Sequence, residues 1–251
     1  MAASENSQKS GKKRILYGVC ALLAVLLIGC AVYLGTYYHA SEEAIQILSN
    51  PSDGVNIELL AGQRIAFVPE NPVAGLIFYP GGKVQYEAYA PLMDRCAAHG
   101  ILCVLVHMPG NLAVLHPNAA DGICDLYPQV QHWFIGGHSL GGVMAASYAA
   151  DHADAYEGLV LLASYSTENL SGSGLEVLSV FGTEDNVLNA QKYDEARSNL
   201  PEGYDELTID GGCHAFFGTY GSQSGDGTPT ISNEEQIGQT ADAIAAMASA
   251  W

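Results

Sequence analysis

Basic residues are scarce in this chain: there are 9 in 251, and four of them, Lys9, Lys12, Lys13 and Arg14, lie within the first fourteen positions. Beyond residue 14, 5 basic residues face 26 acidic ones, a net charge of −21. Such a charge excludes nucleic acid as a partner, because phosphate binding needs clustered Lys and Arg. It repels anionic lipid surfaces and anionic substrates at low salt, and it keeps an external domain soluble. No two of the six cysteines form a C-x-x-C pair, so a thiolate zinc site has no basis in the spacing. Neither G-x-x-x-x-G-K-[ST] nor G-x-G-x-x-G occurs, which excludes a P-loop and a dinucleotide fingerprint. Internal repeats and low-complexity blocks are also missing; "GSQSGDGTPT" is a glycine- and serine-rich loop.

Charge is absent altogether from Ile15 to Tyr38, "ILYGVCALLAVLLIGCAVYLGTYY". At about 1.5 Å per helical residue, this run is long enough to cross a bilayer core of about 30 Å. The basic residues precede it, so the N-terminus is expected in the cytoplasm and everything after about residue 40 outside. Residues 1–14 then form a cytoplasmic basic segment, 15–38 a transmembrane signal anchor, 39–54 a tether, and 55–251 one domain. A second reading of the same run is a lipoprotein signal, "LIGC", with Cys30 acylated. Against it, the apolar run continues through "AVYLGTYY", where a cleaved secreted chain usually turns polar. Cys96, Cys103, Cys124 and Cys213 fall in the outer part, either as disulfides with three connectivities or as buried thiols.

From residue 55 apolar runs alternate with amphipathic stretches. Strands are expected at 55–60, 63–69, 74–80, 101–107, 132–137, 158–164, 175–182 and 204–210, and helices at 84–99, 118–127, 140–152, 189–199 and 233–250. The last begins with Ser232 and Glu235 in capping-box spacing. This alternation with near-continuous apolar strands indicates an α/β fold: a mostly parallel central sheet with helices on both faces, preceded by one transmembrane helix. The first two strands read as an antiparallel hairpin at the sheet edge. Only "SYSTENLSGS" separates the sixth and seventh strands, so no large lid is expected there.

Gly137-His138-Ser139-Leu140-Gly141 fits G-x-S-x-G, with an apolar strand before it and a helix after it. The glycines are needed because the serine sits in a sharp strand-to-helix turn, where side chains at the flanking positions would collide. Without that context the serine would merely cap a helix. A serine hydroxyl needs a base, and the base needs an orienting acid. The expected chain order is serine, acid after a late strand, then histidine after the last strand. "FGTEDNVL" supplies Glu184 and Asp185, Asp210 is a third acid, and "GGCHAFFGTYG" supplies His214. His39, His132, His138 and His152 read as surface or packing residues, with His138 pointing away from the site. His107 and His116 stand near the end of the fourth strand. For an oxyanion, Leu140 N–H is one expected donor, and the backbone of Gly82 or Lys83 in "YPGGK" is the other.

The motifs "FYPGGKV", "HMPGNLAVL", "IGGHSLGG", "FGTEDNVL" and "GGCHAFFGTYGSQSGDG" together resemble the alpha/beta-hydrolase superfamily, in particular the small lidless group related to dienelactone hydrolase. Those hydrolases carry a cysteine nucleophile where this chain has Ser139, a departure that removes the dienelactone substrate from the expectation but not acyl transfer. The resemblance implies Asp185 rather than Glu184 as the acid. It also implies a serine hydrolase of the carboxylesterase type acting on a small-molecule ester or related acyl substrate, with no metal or organic cofactor. Tyr79, His107, Met108, Asn111 and Phe216 are the expected pocket wall. An acyltransferase on the same fold and a non-catalytic surface binding protein are the rival readings.

Overall fold

The computed structural model describes residues 2–251, with side chains from Tyr17 onward, so the basic side chains of 1–14 lie outside the described residues. The chain forms two compact units, Met1–Tyr37 and Tyr38–Trp251. The first is one helix, α1 (Ala2–Gly35). Within it Tyr17–Gly35 is long and apolar enough to cross a membrane.

Residues 38–251 are organised by one eight-stranded sheet. The strands are β1 (Val55–Leu60), β2 (Arg64–Pro69), β3 (Ala74–Tyr79), β4 (Ile101–Leu105), β5 (Trp133–His138), β6 (Gly158–Leu162), β7 (Glu176–Gly182) and β8 (Asp205–Ile209). Their spatial order is β1-β2-β4-β3-β5-β6-β7-β8; β2 is antiparallel to β1 and β4, and the rest run parallel. The helices are α2 (Glu42–Ile47), α3 (Ala90–Ala98), α4 (Leu140–Asp151), α5 (Ala190–Ala196) and α6 (Asn233–Ala248). The period-two alternation of a strand divides the core. Leu76 and Phe78 pack with Leu92 and Met93 of α3 and Ile237 and Ile244 of α6. Ile77 and Tyr79 turn to the other face and pack with Ala145, Ala146 and Ala149 of α4. Each such large apolar side chain taken out of water contributes about 1.5–3 kcal/mol. The parallel strands therefore all deliver their carboxyl ends, and the loops after them, to one edge of the sheet.

Four sequence expectations change. Residues 118–127 form turns with one 3₁₀ turn, Cys124–Leu126, instead of a helix. Gly122 takes φ 71, a value that ends a right-handed helix, and Pro117 and Pro128 close both flanks. The stretch 84–99 divides into a 3₁₀ turn, Tyr86–Tyr89, and α3, whose second residue is Pro91. The tether 39–54 is not loose: α2 lies in it, Ser41 N donates to Thr219 O (2.9 Å), and Ser52 N and Oγ both donate to Asp94 (2.9 and 2.6 Å). Tyr38, read as the end of the span, belongs to the sheet domain. It pairs with Val84, donates its N–H to Lys83 O (2.7 Å) and accepts from Gln85 N (2.9 Å). Cys96, Cys103 and Cys213 are buried free thiols and Cys124 a half-buried one.

Candidate active site

Ser139 stands between β5 and α4 with φ 51 and ψ −123, a left-handed conformation costing a non-glycine residue about 1–3 kcal/mol. Its surroundings hold it there. Ser139 N donates to Leu162 O (2.9 Å), and its carbonyl accepts from Val143 N (3.2 Å) and Ser164 Oγ (2.8 Å). The flanking glycines have no alternative. A Cβ on Gly137 would lie 2.6 Å from the Tyr79 oxygen, and one on Gly141 would strike the Tyr79 and Pro80 carbonyls. The close approach of the β3 end to the turn is thus possible only with hydrogen at both positions.

The loop after β7 brings Asp185, and the loop after β8 brings His214. Their side chains are 1% and 2% exposed, and Asp185 Oδ2 lies 2.9 Å from His214 Nδ1. The other carboxylate oxygen, Oδ1, accepts from Val187 N (2.9 Å) and Leu188 N (2.8 Å), so each oxygen has a fixed task. Glu184 and Asp210 are not joined to His214: Glu184 pairs with Thr183 Oγ1 at 3.5 Å, and Asp210 is exposed. His214 Nε2 is buried and has no hydrogen-bond partner among the described residues. Ser139 and His214 line one cavity of about 220 Å³.

Of the expected oxyanion donors, Lys83 is ruled out by its own hydrogen bond. At φ 62 its N–H turns to Asn111 O, 2.6 Å away. Gly81 N is also taken, by Tyr89 Oη (3.0 Å). Gly82 N makes none of the hydrogen bonds among the described residues, and a Cβ on Gly82 would lie 3.0 Å from the Leu140 side chain. Gly82 and Leu140, at the start of α4, are therefore neighbours.

The expected pocket wall is displaced. Tyr79 is buried in the core, its hydroxyl donating to Pro117 O (2.8 Å) and accepting from Ala120 N (3.0 Å). Met108 is buried as well, and His107 packs edge-on against Tyr86 at 5.2 Å. Together with Asn111 and Phe216 they are outside the lining, which is instead Val143, Ala163, Ser164, Tyr165, Val187, Leu188 and Asn189 with Leu140. Sequence reasoning missed Ser164; its one signal is a polar residue closing the apolar run of the expected strand 158–164.

His138 is a packing residue outside the cavity lining, as expected, but it packs against the base. It points inward, is buried, shares a 2.8 Å hydrogen bond between Nδ1 and Tyr89 Oη, and packs its ring 4.5 Å from that of His214. Burial, and then the neighbouring His214, hold this imidazole well below the ordinary value of 6.5. The unfolded chain takes up that proton near 6.5 and the folded one does not, so stability falls as pH drops below about 6.5 toward the depressed folded value. The melting temperature is expected to fall between about pH 7 and pH 5, and His138→Gln to lessen that fall. Equal slopes in the two proteins would contradict this.

A model of the alpha/beta hydrolase family matches residues 75–238, which include Ser139, Asp185 and His214. A search of the curated proteins finds no match. Among solved structures, Est1E from Butyrivibrio proteoclasticus is similar at 13% identity and a TM-score of 0.56, over 79% of this chain and 100% of that one. Carboxyl esterase 2 from the fungus Tuber melanosporum is 12% identical with a TM-score of 0.55, over 82% and 91%. The esterase domain of a Rhodothermus marinus protein is 11% identical with a TM-score of 0.56, over 77% and 96%. At these identities the likeness is one of fold.

Proposed function

The chain belongs to the alpha/beta hydrolase family, and from that premise we propose that it is a membrane-anchored serine hydrolase that cleaves carboxylic esters through an acyl-enzyme. One observation carries the reading: Asp185 occupies His214 Nδ1, leaving Nε2 buried and unpartnered among the described residues, on a cavity that Ser139 also lines. His214 Nε2 takes the Ser139 proton as Oγ attacks the acyl carbon. The negative oxygen of the tetrahedral intermediate is held by Leu140 N–H and Gly82 N–H. Collapse expels the alcohol, which leaves with the proton from His214. Water then enters, loses its proton to the same nitrogen, and releases the acid and free Ser139.

The apolar stretch Tyr17–Gly35 anchors the enzyme as a single span, with the basic segment in the cytoplasm and residues 38–251 outside. The apolar run that continues past Cys30 through "AVYLGTYY" supports this over a lipoprotein. Val143, Ala163, Val187 and Leu188 make the cavity partly apolar, and about 220 Å³ suits a short or medium acyl group. Two solved neighbours carry "esterase" in their names, which supports an ester as the substrate. The test is a series of chromogenic esters of increasing acyl length, offered to washed membranes. Hydrolysis is expected to favour short and medium chains and to sediment with the membranes. Preference for long-chain lipid, or transfer to added alcohol in place of water, would contradict the reading.

A further inference from the structure

The loop between the His214 turn and α6 has no part in the chemistry above, yet one carboxylate in it holds three backbone N–H groups. Asp226 Oδ1 accepts from His214 N (3.2 Å) and Gly227 N (2.9 Å), and Oδ2 accepts from Ala215 N (2.8 Å). His214 and Ala215 open the 3₁₀ turn Ala215–Phe217, where N–H groups lack partners within the turn. A carboxylate spanning two consecutive amides fixes the backbone of His214 itself, through bonds stronger than neutral ones. The direction of the imidazole, and so the line on which Nδ1 meets Asp185, follows from that backbone.

The same loop presses on the acid from above. A Cβ on Gly227 would collide with the Glu184 carbonyl and lie 3.1 Å from Asn186 Nδ2, so the loop backbone runs directly over the residues flanking Asp185. Beneath it Glu184 N donates to Gly212 O (2.8 Å), joining the acid-bearing loop to the base-bearing one. The loop is tied at its other side too. Ser224 N donates to Tyr38 Oη (3.1 Å), and the Tyr38 ring lies 5.6 Å from that of Tyr220.

We propose that Asp226 is a positioning residue for acyl transfer: it clasps the His214 turn against the Asp185 loop, so that the imidazole meets Asp185 and Ser139 already aligned. The proposal rests on His214 being the base, but its geometric consequence, an ordered Nδ1–H bond to Asp185, is readable without turnover.

The experiment compares the full-length chain in detergent with Asp226→Asn, Asp226→Ala and Gly227→Ala. It follows the downfield proton resonance of the His214 Nδ1–H, kcat and KM on a short chromogenic ester, and melting temperature as the check on folding. In Asp226→Ala the resonance is expected to broaden or disappear and kcat to fall about 30- to 100-fold, the scale of a misaligned reacting group, with KM within about threefold. Asp226→Asn keeps one oxygen, placed where His214 N and Gly227 N converge, and loses the acceptor for Ala215 N, so a kcat loss of about tenfold is expected. Gly227→Ala should repeat the alanine pattern with the carboxylate intact. If Asp226→Ala fails to fold, Asp226→Asn decides. Folded variants with the wild-type resonance and kcat would overturn the proposal, as would a change confined to KM or melting temperature. Should the wild type cleave no ester and resist fluorophosphonate, the hydrolase reading fails, while the resonance comparison still decides the role of Asp226.

Discussion

Replacing Ser139 by alanine is expected to lower kcat for ester hydrolysis about 10⁶-fold, to the level of the remaining binding and oxyanion contributions. The change removes one oxygen from a turn whose conformation is set elsewhere, by the bonds of Ser139 N and O to Leu162, Val143 and Ser164 and by the approach of Tyr79 and Pro80 to the glycines. Alanine at φ 51 carries the same backbone strain that serine does, so the variant should fold with a melting temperature close to that of the wild type. An alanine variant retaining a tenth of the activity would remove Ser139 from the chemistry.

Asp185→Asn is expected to cost about 10⁴-fold in kcat while leaving the fold intact. The reason lies in the two ends of the carboxylate. Val187 N and Leu188 N both point at Oδ1, so an asparagine places its carbonyl oxygen there. Its NH₂ group then faces His214 Nδ1 and donates to it. That donation puts the imidazole proton on Nε2, the nitrogen that accepts from Ser139 in the proposed mechanism. The measurement is kcat for the purified variant beside its melting temperature. A loss below about tenfold would show that Asp185 does not set the tautomer.

Much of this architecture is legible in the sequence because it rests on local signals. All eight strands fall within a few residues of their apolar runs, and Ser232 with Glu235 forms the capping box its spacing announces. The Ser139 turn is legible for a steric reason: only glycine fits at 137 and 141, so the constraint is written in the chain itself. His214 follows from its place after β8, whereas place after β7 leaves Glu184 and Asp185 side by side and only the resemblance singles out Asp185. Where the outcome depends on distant segments, the sequence is silent. Lys83 is removed as an oxyanion donor by Asn111, 28 positions away, and no local pattern reports that contact. The cavity wall gathers Val143, Tyr165 and Leu188 from three separate segments, whereas the residues named from the sequence sit beside motifs. Tyr79 shows the difference well: it ends a strand at the right edge of the sheet, but its side chain belongs to the buried face. Residues 118–127 look helical in composition, and the turn at Gly122 overrides that. The packed state of 39–54 is tertiary as well, since Ser41 and Ser52 find their partners at Thr219 and Asp94.

The central claim is that Ser139 is a nucleophile activated by His214, and a fluorophosphonate tests it without knowledge of the natural ester. Intact-mass and peptide analysis after exposure of the purified full-length protein should show one phosphonyl group, located on Ser139. No group should be found in Ser139→Ala, and labelling of His214→Ala should be far slower. Absence of labelling in the wild type, or equal labelling of the wild type and Ser139→Ala, would contradict the account.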